Sequence, residues 1–176
     1  MQRNFIFNGG YSTRYHTAEV HFRQTIADHS FGVAWLCELL TEGTASKDLI
    51  MAALAHDLAE HMVGDIPSPA KRALGVGAQF DEYELAHLKA NGLSNYAASL
   101  MPAELDVLKY ADMIEGMHFC LRERRLGNVN VDVIFGRFLS YVHQLVLSRN
   151  PTGEVELRVQ SICGELVTEY RKLEGK

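Results

Sequence analysis

Four polar side chains stand where apolar residues belong. His29 shares a face with Ile26, Val33, Leu36 and Leu40, and Asp57 continues the stripe of Ile50, Ala53 and Leu54 with His56 beside it. Asp112 falls on the face drawn by Leu105, Leu108 and Phe119. A carboxylate buried without a partner costs on the order of several kcal/mol or takes up a proton. A shared cation removes that cost. Two neutral imidazoles and two carboxylates make a mixed nitrogen and oxygen donor set suited to one divalent transition ion, with Zn, Co and Mn foremost. Four protein ligands leave positions for water and substrate, as a catalytic rather than a structural site requires.

The elements that must position these residues read as helices. Three- and four-residue spacing of apolar residues predicts a helix from about Thr25 to Thr41. Ser46 can cap a second, with Asp48 in its first turn, running to about Val63. That segment is apolar on nearly every side, as a buried central helix would be. On it His56 and Asp57 stand about 100° apart around the axis, and both can turn toward one point. Gly64-Asp65 with Pro67 and Pro69 then predict an extended turn. Gln79–Asn91, closed by Gly92, a short helix near Asn95–Leu100, a long one from Pro102 to about Arg125, Val131–Arg149 and Glu154–Leu173 complete the set. No strand pattern or repeat competes. The expectation is an all-α, compact single-domain fold over residues 1–176 with six or seven helices, three of which converge on the ion.

Bulk properties narrow the partners. A length of 176 residues suits one domain with its own core. A net charge of -5 supplies no global basic field, so duplex nucleic acid is not expected, while a small anionic ligand can still meet local cations. No apolar run approaches a membrane span, and Met1–Gly10 lacks the apolar stretch of a leader, so a cytoplasmic protein without membrane association is expected. Cys37, Cys120 and Cys163 are odd in number, far apart and set among apolar residues, which predicts three reduced core thiols.

Beyond the four candidate ligands the chain carries, in order, Arg14-Tyr15, Ala27-Asp28-His29-Ser30, His56-Asp57-Leu58-Ala59-Glu60, Gly64-Asp65-Ile66-Pro67-Ser68-Pro69-Ala70-Lys71 and Lys109-Tyr110-Ala111-Asp112. This series resembles the HD-domain metal phosphohydrolases and, within them, the 5'-deoxynucleotidase branch, over residues 14–125. The branch includes bacterial deoxyribonucleoside 5'-monophosphatases and short phage dATP triphosphohydrolases. The resemblance implies an HD-domain helical fold with His29, His56, Asp57 and Asp112 as ligands of one metal ion. It implies hydrolysis of a purine 2'-deoxynucleotide at the 5'-O–P bond. Of the possible substrates, dATP is favoured, giving deoxyadenosine and triphosphate, because the chain is as compact as the phage enzymes and offers Arg14, Lys71, Arg72 and Lys109 to a phosphate tail. Action on deoxynucleoside monophosphates is the alternative, and a non-catalytic, metal-stabilised nucleotide-binding module a further one.

By the same resemblance, Glu60 would orient or deprotonate the attacking water, and Asp65 would protonate the leaving oxygen. Arg14, Lys71 and Lys109 would neutralise phosphate oxygens. Tyr15, where the family usually carries Trp, would pack against the sugar at C2', leaving no room for a hydroxyl. Relatives pair through helices, so a homo-oligomer, a dimer or a multiple such as a hexamer, is expected, with the apolar positions of Val131–Leu147 as its surface. If phage-encoded, the protein would work in the host cytoplasm.

Overall fold

The helix that carries His29 begins at a reciprocal cap. Thr25 Oγ1 accepts the Asp28 N–H at 3.1 Å, and the Asp28 carboxylate accepts the Thr25 N–H at 3.1 Å. In the computed structural model, which describes residues 2–64, 66–93 and 96–173, this is the second of nine α-helices among the described residues. In order they are α1 (Gln2–Tyr11), α2 (Ile26–Leu40), α3 (Lys47–Ala55), α4 (Ser68–Leu74), α5 (Gly77–Ala90), α6 (Tyr96–Ser99), α7 (Pro102–Arg125), α8 (Asp132–Ser148) and α9 (Glu154–Arg171). Short 3-10 segments cover Leu58–Met62 and Val129–Val131. No strand occurs among the described residues, and Thr13 and Thr25 form an isolated antiparallel bridge.

The fold is all-α as expected, and α1 and α4 are additional to the seven helical segments anticipated. Packing holds helix α1: Phe5 is buried with Ile26, Ala55, Leu58 and Leu93, and a Cβ on Gly9 would stand 2.5 Å from the Leu58 carbonyl oxygen. The expected extended turn holds at Pro67, with φ -54° and ψ 132°, but ends there, and helix α4 takes over from Ser68. Pro67 occupies its N-cap and Pro69 its first turn, positions where a missing N–H costs nothing, so these prolines open a helix.

A third departure bears on the site. Helix α3 stops at Ala55 rather than running to Val63. The His56 ring donates from Nδ1 to the Ala53 carbonyl at 2.7 Å, and Asp57 leaves the helical region at φ -102°, ψ 2°. Leu58, Ala59 and Glu60 remain buried in the 3-10 segment that follows, so the apolar character continues although the helix does not.

Helix α7 runs through the middle of the molecule. Its Val107, Ile114, Met117 and Cys120 are buried in one cluster with Val33, Cys37 and Leu40 of α2, Leu49 and Ala53 of α3, and Val159 and Cys163 of α9. All three cysteines are free and buried, as expected. Gly116 lets α8 approach, since a Cβ there would stand 2.5 Å from Cε2 of Phe138. Val131, Phe135, Val142 and Val146, part of the apolar set expected at an oligomer surface, lie in this core instead, whereas Val133, Tyr141 and Leu147 are exposed. Among the described residues, no helix is long and apolar enough to cross a membrane.

Candidate metal centre and active site

Helix α2 delivers His29, the first residue after α3 delivers His56, the turn beyond it Asp57, and the middle of α7 Asp112. The four side chains meet. His29 Nε2 stands 3.2 Å from His56 Nε2, 3.2 Å from Asp112 Oδ1 and 3.5 Å from Asp57 Oδ2, while His56 Nε2 is 3.3 Å from the same Asp57 oxygen. Donors each about 2.1 Å from one ion stand roughly 3.0–3.4 Å apart at octahedral to tetrahedral angles; three of these separations fall in that range and the fourth, His29 to Asp57, lies just beyond it. Donor atoms of His29, His56 and Asp112 all lie within 4.8 Å of one another. Asp57 stands beside this trio with its Oδ2 also engaged by Arg14 Nη1 at 2.6 Å. The donor set thus fits a single divalent ion, and its chemistry narrows the choice to metals that take imidazole and carboxylate together.

The electrostatics are those of groups made for each other. Burial opposes a charge on both imidazoles. The bonds to Asp112 and Glu115 outweigh it at His29, whose pKa is raised, and the Asp57 carboxylate outweighs it at His56, raised to about 9. Burial likewise disfavours the anions, yet His56 with Arg14 holds Asp57, and His29 with Arg14 holds Asp112, below the usual carboxylate range. Arg14 Nη2 approaches Asp112 Oδ1 to 3.9 Å, so one guanidinium touches both acids.

Arg14 and Tyr15 arrive on the segment between α1 and α2. Tyr15 adopts φ 56°, a region that costs an aromatic residue about 1–3 kcal/mol and is kept only where the surroundings impose it. Here they do. Arg14 N–H donates to the Gln24 carbonyl at 2.9 Å, Ala18 N–H to the Tyr15 carbonyl at 3.0 Å, and the Tyr15 ring stacks on Phe119 of α7 at 4.2 Å with 3° between planes. Burial pushes the Tyr15 hydroxyl well above its ordinary pKa, so it stays neutral. Further along, buried Glu123 of α7 accepts the backbone N–H of His21 and of Phe22, each at 2.8 Å, pinning the segment to the helix.

A cavity of about 590 Å³ opens from the cluster, walled by Arg14, Tyr15, Asp57, Glu60, Lys71 and Asp112 among others. Glu60 is buried at its edge, although the 3-10 segment rather than a continuous helix carries it. Lys71 pairs with Glu84 at 3.5 Å. Lys109 is exposed on α7 and is not part of the cavity wall. Asp65 lies outside the described residues. A separate, almost wholly apolar cavity of about 460 Å³ between α1, α2 and α3 contains none of the expected site residues.

Several contributors are missing from the motif reading. Arg137, Phe138 and Tyr141 of α8 complete the cavity wall, adding a cation and two aromatics from beyond the motif-bearing region. Glu115 Oε2 contacts His29 Nδ1, and its Oε1 accepts the Gln24 amide at 2.6 Å. One sequence signal was available for Glu115: it follows Asp112 by three residues, one helical turn on, and so shares its face.

This bundle, in which two imidazoles and two carboxylates are gathered from α2, the end of α3 and α7, has the architecture of the HD-domain phosphohydrolases. The cyanophage S-2L HD phosphohydrolase DatZ, solved with dA and one catalytic Zn2+ ion, matches with TM-score 0.60 and 19% identity over 98% of this chain and 96% of its own. An HD-domain phosphohydrolase from Listeria innocua, lin2634, matches with TM-score 0.63 and 14% identity over 95% of this chain and 97% of its own. The PH0347 protein of Pyrococcus horikoshii OT3 matches with TM-score 0.70 and 22% identity over 94% and 98%. At these identities the likeness concerns the fold. No curated protein matches the sequence. The family model described as 5'-deoxynucleotidase YfbR-like matches residues 10–162, and the chain belongs to that family. It is therefore a hydrolase of the HD-domain phosphohydrolase class that acts on deoxynucleotides.

Proposed function

We propose that the protein hydrolyses the bond between the 5'-oxygen and the α-phosphorus of a purine 2'-deoxynucleotide, with dATP as its substrate and deoxyadenosine and triphosphate as products. The observation that carries this is the opening of the His29, His56, Asp57 and Asp112 cluster directly onto a cavity whose wall holds four cations, Arg14, Lys71, Arg72 and Arg137. A divalent ion held by those four ligands would supply Lewis-acid polarisation of the phosphoryl group and a water of lowered pKa. Arg14 neutralises charge on the α-phosphoryl oxygens as it grows during displacement, its fork already aimed into the cluster by Asp57 and Asp112. Glu60, buried at the rim, accepts a proton from the attacking water and orients it. Asp65 serves the leaving 5'-oxygen. Lys71, Arg72 and Arg137 supply counter-charge to a polyphosphate tail, a demand that a monophosphate would not make. Tyr15, fixed on Phe119, presents a ring to the sugar at C2' and disfavours a hydroxyl there.

A second reading, action on deoxynucleoside monophosphates, is favoured by the Lys71–Glu84 pair, which neutralises one of those cations within the protein. Incubating the purified protein with divalent metal and each dNMP, dNTP and the matching ribonucleotide separates the two. Release of inorganic triphosphate from dATP, abolished by chelator, is the expected result. Phosphate released from dAMP with dATP left intact would move the assignment to the monophosphates. No turnover of any nucleotide with metal bound would leave a binding module.

A further inference from the structure

From the packing behind the cluster we infer that Glu115 is the positioning residue that sets the tautomer and aim of His29, with Gln24 and Gly32 as its supports. His29 is fully buried, and its two ring nitrogens face opposite ways: Nε2 toward the other candidate ligands, Nδ1 toward Glu115 Oε2 at 2.5 Å. Only one tautomer serves an ion. A proton on Nδ1, donated to Glu115, leaves the Nε2 lone pair directed at the cluster, whereas the opposite tautomer places a hydrogen there. Metal-binding histidines owe their orientation and basicity to such an outer acceptor, whose loss typically weakens metal affinity about 10–100-fold.

The carboxylate is itself held from two sides. Its other oxygen, Oε1, accepts the side-chain amide of Gln24 at 2.6 Å, in a setting where Glu115 and Gln24 are both buried. Gly32, one turn beyond His29 on α2, makes the passage: a Cβ there would stand 2.8 Å from Glu115 Cγ. Gln24 also accepts the Arg14 N–H through its backbone carbonyl at 2.9 Å. The relay Gln24–Glu115–His29 therefore links the aim of a candidate ligand to the placement of the guanidinium that faces the substrate. Nothing in the candidate mechanism requires Glu115 to touch substrate, so its contribution is indirect, through His29 and through Gln24.

The test, which rests on the metal-site reading above, uses the whole protein and cobalt(II) as probe. Affinity is measured by competition with a chromogenic chelator, coordination by the visible spectrum of the cobalt form, and folding by thermal denaturation. Glu115→Gln keeps the shape and removes the charge; it is expected to bind cobalt about 10–100-fold more weakly than wild type, with a changed spectrum and activity partly restored by excess metal. Gly32→Ala, whose methyl would crowd the Glu115 side chain at Cγ, is expected to shift affinity the same way, and Gln24→Ala by less. Wild-type affinity and spectrum in Glu115→Gln would overturn the assignment, as would wild-type behaviour of Gln24→Ala should the first variant fail to fold. A wild-type protein that takes up no cobalt overturns the metal site and the relay together. Normal uptake in wild type with no response in the variants overturns the relay alone.

Discussion

Replacing Glu123 with Gln probes how the Arg14 segment is fastened to α7. The carboxylate is fully buried, with Oε1 accepting the Phe22 N–H and Oε2 accepting the His21 N–H and the Asn128 amide, each at 2.8 Å. Burial pushes this carboxyl up, but the bonds from Asn128, His21 and Phe22 outweigh burial and hold its pKa below the ordinary 4.5. A glutamine has one carbonyl, so at best it keeps the two bonds made by Oε2 and turns its NH2 toward the Phe22 N–H. An unsatisfied buried N–H costs about 1–3 kcal/mol, and losing the charge weakens the two retained bonds by roughly 0.5–1 kcal/mol each. The sum is about 2–5 kcal/mol, or a Tm lower by roughly 4–20 °C for a chain of this size. The pH dependence follows from the direction of the shift. A carboxyl lowered on folding contributes stability that is fully present above its unfolded pKa and disappears as pH falls through the folded one. The gap between wild type and variant should therefore be wide at neutral pH and close in acid, as read from urea unfolding in both conditions. A gap below about 0.5 kcal/mol at neutral pH, the size of an ordinary surface substitution, or one that persists unchanged in acid, refutes the tether.

Other expectations concern the site and its supports. Asp112→Asn should lose bound metal by elemental analysis and slow hydrolysis by more than about 100-fold, beyond what removal of an outer partner causes. Arg14→Lys keeps the charge but cannot reach Asp57 and Asp112 with one planar fork; kcat/KM for the deoxynucleotide should drop by about 10–100-fold while metal content holds. Gly116→Ala drives a methyl into Phe138 and should destabilise the protein by about 1–3 kcal/mol in thermal melts, with Phe138→Leu relieving part of the loss. Additive effects of those two substitutions would show that the close approach of α7 and α8 is not the cause.

The clustered residues are legible in the sequence because each violates a periodic apolar pattern, and His29 and Asp112 sit on helices whose faces are regular enough for the violation to be seen. Helices α2 and α7 are likewise readable from their ends: Thr25 with Asp28, Pro102 and Gly127 carry explicit start and stop chemistry. The break after α3 is hidden for the opposite reason. Leu58, Ala59 and Glu60 are as buried in a 3-10 turn as they would be in a helix, so composition cannot separate the two. Helix α1 is invisible because contacts distant in sequence, Phe5 against Ala55 and Leu58, hold it. Glu115 and Glu123 read as ordinary charges on a long helix, since their partners, His29, Gln24, His21 and Phe22, lie about a hundred positions away and only the fold brings them near. Lys109 illustrates the converse: adjacency to a motif put it in the candidate set, but its helical position turns it outward.

Asp112, Glu115, Phe119 and Glu123 follow one another along α7 at steps of three, four and four residues, and so lie along a single side of the rod. Each grips its own atoms: the Nε2 side of His29, the Nδ1 side of the same ring, the Tyr15 ring and the turn at His21 and Phe22. They work like lobes on one camshaft. A single residue inserted between positions 112 and 123 would turn everything beyond it by about 100° and disengage the downstream lobes at once. Lengthening the connection after Gly127 would leave their timing untouched. Variation in chain length should accordingly collect in the connections between helices and spare the middle of this one.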